Sequence, residues 1–147
     1  MTEEDIKYQF ITPAIENVGW SKNQIKLKYN FTDGRVIVRG DTVDSGKRKR
    51  ADYLLHYNQN MPIAIVEAKD NKHSVGVGMQ QGIEYAEMLD VPFIYSSNGD
   101  GFLEHNRKLG IERELSLSEF PSPEELWQRY LGEENITPEQ EKNTFLS

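Results

Sequence analysis

Three charged residues near the ends of two predicted strands have the types and spacing of a hydrolytic site. Asp52 lies near the start of one strand, and Glu67 and Lys69 lie at the end of the next. A tight turn joins these strands, so an antiparallel pair would bring Asp52 and Glu67 to the same edge of a sheet. Side chains two apart on a strand share a face, so Glu67 and Lys69 would point the same way. We therefore expect two carboxylates and an ammonium group to converge there.

This combination of groups suits metal-dependent hydrolysis of a phosphodiester bond. Oxygens of Asp52 and Glu67, with the backbone carbonyl of Ala68, would hold Mg²⁺ among several waters. The metal would lower the pKa of a bound water and neutralise charge in the transition state. Lys69 would orient or deprotonate the attacking water, because a lysine beside a metal can have a depressed pKa. The alternative is a surface salt bridge at a strand end, since Asp…Glu-x-Lys occurs by chance in many proteins.

The surrounding pattern predicts an α/β domain with a mixed central β-sheet flanked by α-helices. Thr2 would cap a first helix that Pro13 caps or kinks. Strands are predicted at 25–31, 35–39, 51–57, 62–68, 91–96 and 102–105. The polar stretch 40–50 is predicted as a loop, and Asp33-Gly34 as part of a tight turn. A second helix is predicted over 78–89, and a last one begins at Ser122-Pro123.

Composition and charge bound the class of protein. The chain has 147 residues, which suits one domain, and a formal charge of −7. Residues 22–72 nevertheless carry eleven lysines and arginines against six acids, a net +5. Lys47, Arg48, Lys49 and Arg50 lead directly into the Asp52 strand and are well placed to hold a phosphate backbone, although a solvated loop is the alternative.

Several classes of protein are disfavoured by what the sequence lacks. It contains no cysteine, and its three histidines do not have metal-ligand spacing, so a zinc site is not expected. No apolar run approaches the roughly 18 residues of a spanning helix, so no membrane association is expected. The N-terminus is acidic and has no apolar segment typical of a secretory signal. We therefore predict a cytoplasmic location.

The motif and its surroundings resemble a known nuclease family. Asp52 followed by Glu67-Ala68-Lys69 resembles the PD-(D/E)xK motif, with Ala51 standing where that motif often has proline. The whole of residues 5–130 resembles, more narrowly, the N-terminal endonuclease domain of type I restriction enzyme R subunits. Further matches are Glu16 ahead of Gly19-Trp20, the Gln81…Tyr85 pair that fits the Gln-x-x-x-Tyr motif of RecB-like nucleases, and the segment 120–127 that resembles the path toward a motor.

The resemblance implies a fold and a set of roles. It implies a restriction-endonuclease-like core and a Mg²⁺ site formed by Asp52 and Glu67. Gln81 and Tyr85, four apart on one helix face, would hold the lysine or a DNA phosphate; the alternative is an amphipathic helix with Tyr85 half in the core. Glu16 would add a further carboxylate to the metal region, or else is a solvated helix glutamate.

The resemblance also implies a domain plan and partners. Residues 1–120 would form the endonuclease domain, and 121–147 a helical extension and linker toward an ATP-dependent motor. No Walker A sequence is present, so ATP would bind only in motor domains outside this chain. The expected activity is that of a type I site-specific deoxyribonuclease acting on double-stranded DNA beside modification and specificity subunits. The alternatives are an inactive nuclease fold used for DNA binding or assembly, and a stand-alone repair nuclease.

Overall fold

A mixed six-stranded sheet lies at the centre of the computed structural model, which describes residues 1–32, 37–39, 42–44 and 48–134. The strands are β1 (Ile25–Thr32), β2 (Ile37–Arg39), β3 (Thr42–Asp44), β4 (Arg48–Asn58), β5 (Met61–Ala68), β6 (Phe93–Ser97), β7 (Phe102–Asn106) and β8 (Ile111–Leu115). The helices are α1 (Glu3–Ile6), a π-helical turn (Lys7–Ile11), α2 (Thr12–Asn17), α3 (Met79–Leu89), a 3₁₀ turn (Leu117–Glu119) and α4 (Pro123–Glu133).

The sheet has the order β1-β4-β5-β6-β7-β8, and β2 pairs with β3 separately. All neighbours in the large sheet are antiparallel except β5 and β6, which are parallel because α3 connects them. The predicted α/β class with a mixed central sheet is therefore confirmed.

The N-terminal helical segment begins and bends as its sequence predicts. The Thr2 hydroxyl accepts a hydrogen bond from the Asp5 backbone, and the Asp5 carboxylate accepts one from the Thr2 backbone. Pro13 has no N–H to donate to the carbonyl four residues earlier, and a wide π-helical turn precedes it. The Thr2 cap and the interruption at Pro13 are both confirmed.

Two hydrophobic layers cover the sheet because side chains of β4, β5 and β6 alternate between its faces. Leu54, Ile65 and Ile94 face α3. The intervening residues face the N-terminal helices and α4, where the fully buried side chains include Trp20 and Trp127.

The terminal helix α4 is part of the same core as the sheet. The Ser122 hydroxyl caps it, and Leu126 and Trp127 are buried. The Trp20 indole donates a hydrogen bond to the Pro121 carbonyl at 2.9 Å. The border predicted between residues 120 and 121 thus falls within a continuous core, and the predicted linker 135–147 lies outside the described residues.

One predicted loop was wrong, and one strand was not predicted. Thr42–Asp44 forms β3, which pairs with β2, and β4 already begins at Arg48, so much of the predicted 40–50 loop is strand. β8 was not predicted, because this edge strand exposes four of its five residues and has no alternating apolar face to reveal it. The predicted turn at Asp33-Gly34 lies outside the described residues. No helix in the described part of the chain is long and apolar enough to cross a membrane.

Candidate active site

The antiparallel register of β4 and β5 brings Asp52 and Glu67 together. Tyr53 of β4 lies opposite Val66 of β5, and because the strands run antiparallel, Asp52 lies next to Glu67. The Asp52 backbone N–H donates to Glu67 Oε2 at 2.8 Å, and the Ala68 N–H donates to Asp52 Oδ2 at 2.9 Å. The two carboxylates are therefore neighbours, as their spacing predicts, with Asp52 inside β4 and Glu67 near the end of β5.

Glu67 is buried because helix α3 passes very close to the end of β5. The Glu67 residue is only 1% exposed. A Cβ on Gly78 would lie 3.2 Å from Glu67 Cβ, and one on Gly82 would lie 2.6 Å from Ile94 Cγ2. The glycines therefore let α3 approach, and this approach brings the Gln81 amide within 2.7 Å of Glu67 Oε1, to which it donates.

Burial changes the acid–base behaviour of Glu67. Removal from water, followed by the charge of Asp52, raises the pKa of Glu67 to about 7. The hydrogen bonds from the Asp52 backbone and Gln81 lower it, but they do not outweigh these effects. The two carboxylates supply oxygen ligands of the kind that a divalent cation such as Mg²⁺ prefers.

Lys7 is a charged member of the site that the sequence analysis missed. Its Nζ lies 2.8 Å from Asp52 Oδ1 and 3.2 Å from Glu4 Oε1, and the residue is 7% exposed. Burial lowers the pKa of Lys7, but its hydrogen bonds and charge interactions with Asp52 and Glu4 outweigh this and raise it overall. One signal could have revealed it: Lys7 is four residues before Ile11, on the buried face of the first helical segment.

Lys69 lies directly after β5 and continues its pairing with β6. Its backbone N–H donates to the Ser97 carbonyl at 2.9 Å, which extends the ladder beyond Ala68. The Lys69 residue is half-buried. Within residues 1–32 and 48–134, its ammonium group makes no hydrogen bond or ion pair, so it differs from Lys7 in being available to a ligand.

The Gln81–Tyr85 pair occupies one face of α3; of the two contacts that the resemblance implied, the one with a DNA phosphate stays a prediction, and the one with the lysine is not seen among the described residues. Gln81 donates to the Glu67 carboxylate rather than to Lys69. Tyr85 is half-buried and meets Phe31 of β1 edge-on, with ring centroids 5.1 Å apart. Partial burial and the negative charge of Glu67 raise the pKa of Tyr85, so the phenol interacts electrostatically with this carboxylate.

The remaining predicted residues lie at the margin of the site or outside it. Glu16 is exposed on α2 and, in the described part of the chain, makes no hydrogen bond with Asp52 or Glu67. Arg48 and Arg50 are exposed in β4, opposite Thr32 and Asn30 of β1, and Lys49 is half-buried between them. Lys47 lies outside the described residues. The basic segment is therefore part of the strand that carries Asp52.

The donor set fits a magnesium ion on chemical grounds. Among the described residues, no group of three or more acidic or histidine side chains could hold a metal, so the site offers two carboxylates. Mg²⁺ is commonly bound by one or two carboxylates and completes its octahedron with water. The roles of Asp52, Glu67 and the Ala68 carbonyl as ligands stay predictions.

The fold and the site define an α/β domain with an acidic pair at one edge of its sheet, and comparison with known proteins identifies its family. The family model described as "Type I restriction enzyme R protein N terminus" matches residues 2–121. The type I restriction enzyme EcoAI endonuclease subunit of Escherichia coli is 45% identical over an alignment of 135 residues that covers 88% of this chain. The chain therefore belongs to the family of type I restriction enzyme R protein N termini.

A solved structure supports the same assignment. It is the fragment structure of a putative HsdR subunit of a type I restriction enzyme from Vibrio vulnificus YJ016. That structure matches 95% of this chain with a TM-score of 0.80 at 45% sequence identity. The chain spans 27% of that fragment and 17% of the Escherichia coli subunit.

Proposed function

We propose that this chain is the Mg²⁺-dependent endonuclease domain of a type I restriction enzyme R subunit and hydrolyses phosphodiester bonds of double-stranded DNA. The observation that carries the proposal is the hydrogen-bonded Asp52–Glu67 pair of β4 and β5, which lies close in sequence to Lys69, whose ammonium makes no hydrogen bond or ion pair among the described residues. A surface salt bridge, the simpler interpretation, would not need a buried glutamate whose pKa is raised to about 7.

The residues would divide the work between holding the metal and handling water. When bound, Mg²⁺ supplies a water of lowered pKa and neutralises charge on the phosphate. Asp52 and Glu67 hold it, and their orientations are fixed by the backbone N–H groups of Ala68 and Asp52 and by the Gln81 amide. Lys69 orients or deprotonates the attacking water. Its side chain is available for this role, since it has no other partner among the described residues.

DNA would approach along the start of β4. Lys47, Arg48, Lys49 and Arg50 precede Asp52 and would bind the phosphate backbone without reading sequence. Sequence recognition would belong to the specificity subunit, together with the modification subunit. ATP would be hydrolysed in motor domains outside this chain, and translocation would precede cleavage. The overall negative charge is consistent with a domain that receives DNA from these partners.

A second candidate is an inactive nuclease fold that serves DNA binding or assembly. One observation favours it: each of the four oxygens of Asp52 and Glu67 already accepts a hydrogen bond or ion pair within the protein. A carboxylate oxygen can accept more than one bond, so a metal can still coordinate it. The two candidates differ in whether loss of Lys69 changes cleavage.

The test uses the complete restriction complex, with this chain as the N terminus of its R subunit. For Lys69→Ala, we expect loss of double-strand cleavage by at least about 100-fold with ATP-dependent translocation retained. Lys72→Ala, three residues further along and exposed, is the matched control and should cleave normally. Unchanged cleavage in Lys69→Ala would overturn the proposal and favour the inactive module.

A further inference from the structure

We propose that Lys7 is a positioning residue for Asp52: its buried ammonium fixes the carboxylate as a metal ligand and competes electrostatically with the divalent cation that binds there. This inference rests on the proposed function, because it requires Asp52 to be a metal ligand. It assigns a role to a residue outside the Asp52…Glu67-Ala68-Lys69 motif, on a different element of the fold.

The ion pair between Lys7 and Asp52 is short and largely buried. The side chains of Lys7 and Asp52 are 9% and 16% exposed, and Nζ lies 2.8 Å from Oδ1. A buried ammonium needs partners, because an isolated buried charge is strongly unfavourable. The second partner, Glu4, is 63% exposed and lies on the solvent side of Lys7. Asp52 is therefore the partner that faces the interior.

The Tyr53 side chain also holds Lys7 in place, through the Lys7 backbone carbonyl. The Tyr53 hydroxyl donates to the Lys7 carbonyl at 3.5 Å and shares a 2.7 Å hydrogen bond with the Thr12 hydroxyl. Tyr53 is fully buried and follows Asp52 directly in β4. The N-terminal helical segment is thus attached to the strand at the residue next to the proposed ligand, so the Lys7–Asp52 pairing does not depend on the side chains alone.

Both oxygens of the Asp52 carboxylate have a partner within the protein. Lys7 contacts Oδ1, and the Ala68 backbone N–H donates to Oδ2, so both oxygens are fixed. Because like charges repel, an ammonium group this close to a ligand oxygen must weaken binding of a dication. Removing Lys7 should therefore have opposite effects on two measured quantities: it should increase the affinity for the metal and decrease the rate of cleavage.

The experiment measures Mn²⁺ binding to the 147-residue chain by calorimetry. Lys7→Met should bind Mn²⁺ about tenfold more tightly than the wild type, since one nearby positive charge is lost. Lys7→Arg keeps the charge and should stay within about twofold of the wild type. Lys28→Met is the matched control: this lysine contacts Glu4 at 3.5 Å rather than Asp52, and its loss should change the affinity by less than about twofold.

A second readout and a second variant separate positioning from simple support of the fold. In the restriction complex, Lys7→Met should cleave at least about tenfold more slowly, and Lys7→Arg should recover part of that loss. If Lys7→Met does not fold, Glu4→Gln removes an exposed acid that shares the Lys7 charge. At low ionic strength it should bind Mn²⁺ about twofold more weakly.

The outcomes distinguish this inference from the function on which it rests. Wild-type binding of Mn²⁺ with unchanged or weaker binding by Lys7→Met would overturn the role of Lys7 and leave the metal site standing. Equal tightening in Lys7→Met and Lys7→Arg would overturn it as well, because the charge would not be the cause. Absence of Mn²⁺ binding by the wild type would instead contradict the proposed metal site.

Discussion

Replacing Glu67 with glutamine should stabilise the metal-free domain at pH 8. Folding raises the pKa of Glu67 from its usual 4.5 to about 7, so the folded state favours the protonated carboxyl. Stability from this group is fully present below pH 4.5 and is lost as the pH rises through 7. Relative to its value below pH 4.5, the free energy of unfolding is reduced by about 3 kcal/mol at pH 8 and by about 1 kcal/mol at pH 5 because of Glu67.

Glutamine has no charge to bury, so it escapes this loss. It can keep only part of the hydrogen bonding with the Asp52 backbone and Gln81, which costs about 1 kcal/mol. We therefore expect a net gain in unfolding free energy of about 2 kcal/mol at pH 8 and almost none at pH 5. Urea denaturation in the presence of a chelator, at both pH values, measures this difference.

Glu104→Gln is the matched control with the opposite sign. Glu104 is 2% exposed, but the guanidinium groups of Arg113 and Arg129 bind it at 2.8 and 3.1 Å. Burial raises the pKa of Glu104, yet hydrogen bonds from Arg129, Arg113 and Tyr95 lower it overall. This variant should be destabilised at pH 8. Destabilisation of Glu67→Gln at pH 8, or an equal gain at both pH values, would refute the reasoning for Glu67.

Three further predictions follow from the same site. Mg²⁺ should raise the melting temperature more at pH 8 than at pH 6, because the proton on Glu67 must leave before the metal binds; scanning calorimetry would show equal shifts if Glu67 were not a ligand. Gly82→Ala should cost about 1–3 kcal/mol in urea denaturation, since its Cβ would lie 2.6 Å from Ile94 Cγ2, whereas Gly132→Ala, with open space around it, should cost nothing. Replacing Arg48 and Arg50 by alanine in the complex should weaken DNA binding and reduce the salt slope by about two, and an unchanged slope in filter binding would exclude them from the DNA contact.

Much of the fold was predictable because its central elements have strong local patterns. The run of apolar residues in β5 and the Thr2 and Ser122 helix caps all point to the observed elements. β8 was missed, since backbone pairing with β7 rather than burial of an apolar face defines it. Within the predicted loop 40–50, Thr42–Asp44 and the start of β4 were misassigned because the polar composition of this segment resembles a loop.

The site was predictable only where strand geometry alone determines proximity. Alternation and a tight turn suffice to place Asp52 beside Glu67. Lys7 and the contact of Gln81 with Glu67 depend on how helices pack against the sheet edge, and a single sequence does not specify that packing. The close approach of α3, permitted by Gly78 and Gly82, is a tertiary feature of the same kind.

The most direct test of the central claim is the anomalous scattering of Mn²⁺ in crystals of this chain. We expect one strong peak between β4 and β5, within about 2.3 Å of a carboxylate oxygen from both Asp52 and Glu67. Crystals of the Asp52→Asn variant, soaked in the same way, should lack that peak. A fully soaked wild-type crystal with no peak between these two side chains would contradict the claim that they form a metal-dependent nuclease site.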